Sequence, residues 1–151
     1  MRSTLISVAL VLTAPAQWEA RPDVGKVETL RGKIVPLSDL VARAGGKLDT
    51  DAVPVSLVLV AEDGKVYPLV KDALSRMFYR DKALLDRTMQ VTGRLLPGSS
   101  ILRLGSVHSV HKGELFEIYY WCDICSIKRG EKMICECCGG PMELKEVPSK
   151  R

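Results

Sequence analysis

Residues 55–70 read VSLVLVAEDGKVYPLV and contain the clearest fold signal in the chain. The run 55–60 is almost wholly apolar and of strand length, so it predicts a strand buried on both faces. Asp63-Gly64 is a hairpin signal, and residues 65–70 predict the return strand. Because Pro68 has no N–H to give to a ladder, we expect the return strand to lie at a sheet edge or to contain a bulge there.

The sequence before this hairpin predicts one long strand followed by a loop. Apolar and charged residues alternate over 24–37, and Gly25 and Gly32 interrupt them, so we expect a strand with a glycine bend. Residues 38–42 predict a short helical turn with Ser38 as its N-cap. The rest of the stretch up to residue 54 predicts a loop.

After the hairpin, the hydrophobic period changes to that of a helix over residues 72–86, with Asp72 as its expected N-cap. The apolar residues near one helical face are Leu74, Met77, Phe78, Leu84 and Leu85. Alternation returns over 88–96, and a Pro-Gly turn follows it. Residues 101–104 and 107–110 predict either a strand pair or one bent strand.

Five strands with one helix between the third and the fourth are the element order of the OB-fold, a small and partly open barrel. The fold prediction is therefore mainly β. It comprises a five-stranded OB-like barrel domain over about residues 24–111, with one helix, and a C-terminal zinc-ribbon hairpin whose basis is given below.

The barrel region resembles a group of secreted bacterial OB-like domains, many of them from planctomycete-type bacteria. The matching residues are Gly32-Lys33-Ile34-Val35-Pro36-Leu37, Pro54-Val55-Ser56-Leu57, Asp63-Gly64-Lys65-Val66-Tyr67 and Met89-Gln90-Val91-Thr92-Gly93. The likeness covers roughly residues 24–110 and implies a secreted domain of OB type. Those relatives often carry Cys and His in the insert after the first strand, whereas residues 38–53 here contain neither. The resemblance therefore carries no metal or redox site over to that insert.

Residues 1–16, MRSTLISVALVLTAPA, predict a signal peptide. Arg2 supplies the positive charge, residues 5–12 the apolar segment, and Ala14-Pro15-Ala16 the small-residue cleavage pattern. We expect cleavage after Ala16 and a secreted or periplasmic location. The apolar run is shorter than the about 20 residues that a membrane span needs, so we predict no membrane span after its removal.

The composition excludes several classes of protein. A chain that is 46% hydrophobic and 26% charged is neither disordered throughout nor a low-complexity chain. The net charge of +4 is too small for a protein that coats nucleic acid. Single-strand binders stack bases on aromatic side chains, and the hairpin offers Tyr67 alone, so we do not expect nucleic acid as the main partner.

All five cysteines lie between residues 122 and 138, in two Cys-x-x-Cys motifs. Each motif can bring two thiolates to about 2.3 Å from one metal ion, so the pair of motifs predicts a tetrahedral Zn²⁺ site. The predicted metal ligands are Cys122, Cys125, Cys135 and Cys138. Residues 115–147 resemble a short zinc ribbon or rubredoxin-like hairpin, and Cys137 is left as a spare thiol.

A tail of this length builds almost no core and needs a metal or disulfides to hold one structure. Structural zinc contributes on the order of 10 kcal/mol in small peptides, and one disulfide about 2–4 kcal/mol. These magnitudes favour a metal. Iron in the same four-thiolate site stays open, as do disulfides in place of any metal, because an exported chain meets oxidising surroundings.

We predict no catalytic and no cofactor-binding residues, and no enzyme. The two histidines, His108 and His111, fall on opposite faces of a strand, and nothing forms a nucleophile–base pair. The predicted function is that of an exported binding or structural protein with an unknown ligand or protein partner in the OB groove. Two alternatives stay open: an OB and zinc-ribbon protein that binds single-stranded nucleic acid, and a metal-thiolate or thiol redox protein.

Overall fold

The computed structural model describes residues 25–49 and 56–149, and their strands form one antiparallel sheet with two short helices. The mainly β class is thereby confirmed. The elements are β1 (Val27–Pro36), α1 (Leu37–Arg43), β2 (Leu57–Ala61), β3 (Val66–Pro68), α2 (Arg76–Arg80), a 3-10 turn (Lys82–Leu84), β4 (Thr88–Leu95), β5 (Leu102–His111), β6 (Glu114–Cys122), β7 (Ile127–Arg129) and β8 (Glu143–Pro148). The predicted signal peptide, 1–16, lies outside the described residues.

The strand order in the sheet is β3-β2-β1-β4-β5-β6-β7, and β8 pairs with β6. The start of β5 also meets the chain just after β3, through a parallel bridge between Leu69 and Leu102. The Val70 N–H donates to the Leu102 carbonyl oxygen there, at 2.9 Å. No continuous ladder joins β3 to β5 within 25–49 and 56–149, so the sheet is not a closed barrel and the five-stranded OB barrel is not confirmed.

Gly32 lies where β1 changes partner. The first part of β1 pairs with β4 and the last part with β2, and Gly32 belongs to both registers. A Cβ atom at this position would lie 2.2 Å from the carbonyl oxygen of Val60. Only glycine permits so close an approach of the two backbones. The interruption of the alternating pattern therefore marks a backbone contact between β1 and β2.

The hairpin predicted at residues 55–70 is present wherever the structure describes it. β2 is buried along almost its whole length, as its apolar sequence predicts. Gly64 has a φ of +82° in the turn, and Asp63 Oδ1 accepts the Lys65 N–H at 3.0 Å. β3 ends the strand order, which places Pro68 in an edge strand, as expected.

The helix predicted over 72–86 is broken into a turn, α2 and the 3-10 turn. The break lies at Asp81, whose backbone is extended and whose Oδ1 accepts the Ala83 N–H at 3.1 Å. A carboxylate that bonds a nearby N–H competes with the helix for that donor. Asp72 does cap the first turn, because its Oδ1 accepts the N–H groups of Leu74 and Ser75.

Two further local predictions were settled by the structure. Ser38 was expected to cap α1, but the helix begins at Leu37, directly after Pro36, and no side chain caps it. Of the two arrangements left open for residues 101–110, the single strand is correct, because β5 runs unbroken from Leu102 to His111.

The core continues from the first five strands into the C-terminal part of the chain. Tyr120 on β6 is fully buried in the same cluster as Phe78 of α2 and Met89 of β4, and Cys122 and Cys135 belong to it as well. The ladder passes from β5 to β6 through the Lys112-Gly113 turn, where both residues have positive φ. The division into residues 24–111 and 115–147 stays a prediction, and its test is given below.

Candidate metal centre

The first knuckle is the turn between β6 and β7. Cys122 ends β6 and is paired with Ile127, the first residue of β7. The Ser126 N–H donates to the Cys122 carbonyl oxygen at 2.8 Å, and Ser126 has a φ of +54°. This reversal brings Cys125 back beside Cys122 and turns both side chains towards one point.

The second knuckle begins at Cys135, directly after an isolated bridge between Ile134 and Pro141. The Cys135 N–H donates to the Gly140 carbonyl oxygen at 2.8 Å, and the Gly139 N–H donates to the Cys135 carbonyl oxygen at 2.9 Å. Gly139 has a φ of +71°, which glycine adopts without steric cost. The glycine after the second motif therefore lets this knuckle turn tightly.

Backbone amides of the second knuckle favour the thiolate form of Cys135. The N–H groups of Cys138 and Cys137 donate to its sulfur and lower the pKa of the thiol to about 6, although burial opposes them. Cys135 is therefore suited to deprotonation, which any metal ligand of this kind requires.

The four predicted ligands lie together. The Sγ atoms of Cys122, Cys125, Cys135 and Cys138 are all within 4.8 Å of one another. The Cys122 and Cys138 sulfurs are 3.5 Å apart. A tetrahedral site with metal–sulfur bonds of about 2.3 Å has sulfur–sulfur edges of about 3.8 Å, so the four atoms could hold one metal ion.

None of the five cysteines, all of which lie within 56–149, is bonded to another. A disulfide requires its two sulfur atoms to be about 2.05 Å apart. The sulfurs of Cys122 and Cys138, at 3.5 Å, are much farther apart than that. The arrangement is therefore that of four converging thiols, and it does not identify which metal they would hold.

The centre is buried on one side and open on the other. Cys122 and Cys135 belong to the core, whereas Cys138 is exposed. The turn residues next to the ligands are exposed as well, with Ile124 at 79% and Ile134 at 66%. A metal ion could therefore enter from the solvent side without unfolding the sheet.

Cys137, which the sequence leaves as a spare thiol, lies in the second knuckle between Cys135 and Cys138. The nearness of its thiol to that of Cys125, together with burial, raises the pKa of Cys125. Cys137 itself is exposed. The motif spacing assigns Cys137 no role, because it shows only that this residue lies between two ligands.

Asp81 attaches the centre to the rest of the molecule, and the sequence contained no signal for this role. Its Oδ2 accepts the phenol O–H of Tyr120 at 2.9 Å, and Lys132 Nζ donates to its Oδ1 at 3.3 Å. Tyr120 lies two residues before Cys122, and Lys132 lies between the knuckles. Burial would raise the pKa of Asp81, but these bonds and the Ala83 N–H outweigh it, and the pKa is lowered.

A second polar cluster joins β8 to β5 and to the loop before β4. Glu146 accepts hydrogen bonds from Arg87, His111 and the buried Ser109. Burial opposes the charge of Glu146, yet these bonds lower its pKa. His111 thus pairs with a carboxylate, and neither it nor His108 belongs to the cysteine cluster.

Comparisons of the chain with models of known protein families, with curated proteins and with solved structures found no match. The resemblance to secreted OB-like domains therefore stays a prediction. None of the helices within 25–49 and 56–149 is long and apolar enough to cross a membrane.

Proposed function

We propose that this chain is an exported binding or structural protein without enzymatic activity, in which an OB-type domain carries a zinc-stabilised ribbon. The observation that carries the proposal is the convergence of four sulfur atoms from two knuckles, all within 4.8 Å of one another. Four thiolates complete a tetrahedral zinc site and leave no position for a substrate, as in structural zinc sites generally. Zinc would then hold together a segment that has little core of its own.

The pairing of the first five strands supports the OB-type part of the proposal. β1 pairs with both β2 and β4, β4 pairs with β5, and the Leu69–Leu102 bridge brings the end of β3 to the start of β5. These pairings follow a ring of five strands that is open at one seam. α2 lies between β3 and β4 in the chain, where the OB order requires its helix.

A groove beside α1 is the best candidate for the binding site of this domain. It has a volume of about 280 Å³ and is lined by apolar residues of β1, α1 and β2, including Val35, Leu40 and Val60, and also by polar and charged side chains. Arg43 and Glu62 lie at the same groove. OB domains bind ligands over the second and third strands and the loop between the first two strands. α1 lies in that loop here, whereas no residue of β3 lines the groove.

Metal content tests the proposal directly. Native mass spectrometry of the purified chain should show one Zn²⁺ per chain, and Cys125→Ser should lose it. Cys137→Ser is the matched control, because it removes a neighbouring thiol outside the proposed ligand set and should keep the metal. A chain that carries no cation and whose sulfurs are joined to one another would overturn the proposal. The visible absorption of an iron–thiolate centre would assign the site to iron.

A further inference from the structure

Two arginines lie directly opposite each other on the face of the sheet that is turned away from the core. Arg94 on β4 and Arg103 on β5 are partners in the antiparallel register, and both are exposed. Such partners project from the same face, with Cβ atoms about 4.5–5.5 Å apart, and like charges in this position destabilise a sheet. The pair therefore favours an anion between the two guanidinium groups.

The chain's own groups neutralise this pair only in part. Arg103 Nε lies 3.4 Å from Asp72 Oδ2, and the other oxygen of Asp72 caps the turn before α2. Arg94 donates to the carbonyl oxygen of Gly25 at 3.2 Å, which carries no formal charge. Among the residues that the structure describes, no second acidic side chain pairs with either arginine. An excess of positive charge and several guanidinium N–H donors therefore face the solvent.

A β-bulge opens a groove beside the two arginines. The register of β4 and β5 shifts between Thr92 and Gly93, so that Gly105 on β5 is left without a register partner. Both arginines line the groove together with these three residues, and its volume is about 590 Å³. Because Gly93 and Gly105 have no side chains, a ligand can approach the backbone of the sheet there.

A hydroxyl pair next to the arginines supplies a further donor. Thr92 lies two residues before Arg94 on β4, so its side chain projects from the same face. Its Oγ1 is 3.0 Å from Oγ1 of Thr29 on β1. Only one of these hydroxyls can donate to the other, so the accepting hydroxyl keeps its own hydrogen for another acceptor.

We propose that this groove binds a tetrahedral oxyanion, phosphate or sulfate, between Arg94 and Arg103. A guanidinium group presents a fork of N–H donors that matches two oxygens of such an anion. A tetrahedral anion has enough oxygens for both forks and the hydroxyl, whereas the two oxygens of a carboxylate are taken up by one fork. The site goes beyond the proposed function, because it shares no residue with the groove beside α1 or with the metal centre.

The test is an NMR titration of the ¹⁵N-labelled full chain with inorganic phosphate and, separately, with inorganic sulfate. Chloride keeps the ionic strength constant, because screening alone would otherwise change exposed charges. The backbone amides of Gly93 and Gly105 should shift and saturate with either anion. Arg94→Gln should weaken the binding about tenfold or more, because one of the two charged forks is lost. Arg94→Lys should weaken it as well, since it keeps the charge but not the fork.

Arg80→Gln is the matched control. It removes the same charge from an exposed arginine of α2 outside the groove, and the affinity for phosphate should stay that of wild type. Shifts that do not saturate, equal affinity of wild type and Arg94→Gln, or an equal loss in Arg80→Gln would each overturn the inference.

Two further results would overturn it. Acetate that binds as well as phosphate would remove the requirement for a tetrahedral anion. Shifts confined to the amides of Lys33 and Val60 would place the anion in the groove beside α1 instead. The metal content of the chain is measured separately, so failure of the anion site leaves the proposed zinc site standing.

Discussion

The phenol oxygen of Tyr120 donates a 2.9 Å hydrogen bond to Oδ2 of Asp81, and both residues are buried. The bond joins β6, two residues before the first cysteine of the metal centre, to the break between α2 and the 3-10 turn. A second contact involves the same helix: Arg76 of α2 forms an ion pair with Glu131, with 3.1 Å between the guanidinium nitrogen and the carboxylate oxygen. The candidate metal centre is thus connected to the helical segment of the first five strands.

Tyr120→Phe should lower the free energy of unfolding by about 1–3 kcal/mol, since it leaves a buried carboxylate without one of its donors. Urea unfolding followed by circular dichroism measures the change. Tyr119→Phe is the matched control, because its ring lies under Lys128 on the other face of β6 and Phe retains that ring. Equal stability of the two variants would contradict the role given to the bond.

Acid should weaken the attachment at Asp81. Its pKa is lowered from the ordinary value of 3.8 by its hydrogen bonds, against the effect of burial. A carboxyl group whose pKa is lower in the folded state contributes stability that is present above the unfolded pKa and is lost as the pH falls through the folded one. The stability difference between wild type and Asp81→Asn should therefore be constant from pH 7 to about pH 5 and shrink below about pH 4.

The measurement for this prediction is a series of unfolding curves from pH 7 to pH 3 for both chains. The difference between them removes the effect of thiolate protonation, which is common to both. A difference that grows as the pH falls would have the wrong sign and would contradict the ion-pair and hydrogen-bond arrangement at Asp81.

Cys122→Ser should abolish metal binding and unfold the segment 115–147. If the chain is divided as the sequence predicts, residues 24–111 keep their structure, although they lose the support of the Tyr120–Asp81 bond. Hydrogen exchange measured by mass spectrometry should show loss of protection in β7 and β8 and retained protection in β2 and β4. Loss of protection in all four strands together would refute the two-part division.

Gly32→Ala should destabilise the fold by about 3 kcal/mol, because the new Cβ would lie 2.2 Å from a backbone oxygen of β2 that cannot move aside. Thermal unfolding measures the loss. Gly130→Ala is the control, since nothing lies within 4 Å of a Cβ at that position and the stability should change little. A Gly32→Ala chain as stable as the control would show that β1 and β2 can separate locally at no cost.

Several patterns that act over a few residues were read correctly from the sequence, although the expected Ser38 cap of α1 was not. The Cys-x-x-Cys spacings predicted that Cys122, Cys125, Cys135 and Cys138 lie together, because a knuckle is closed by its own turn. Asp63-Gly64 predicted the hairpin for the same reason, since the positive φ that its turn needs is a property of Gly64 itself. The broken helix was missed because helical periodicity does not show that the Asp81 side chain takes up the Ala83 N–H.

Chemistry within single turns therefore sufficed to predict the two knuckles and the hairpin, and strand-length apolar and alternating runs sufficed for the mainly β character of this chain. Tertiary structure alone decided which distant groups meet: Tyr120 with Asp81, 39 residues away, and Arg76 with Glu131, 55 residues away. Such contacts depend on sheet register and on the core cluster that Phe78 of α2 and Tyr120 of β6 share. Both arise from the sum of many weak apolar contacts across the core, which no short stretch of residues encodes.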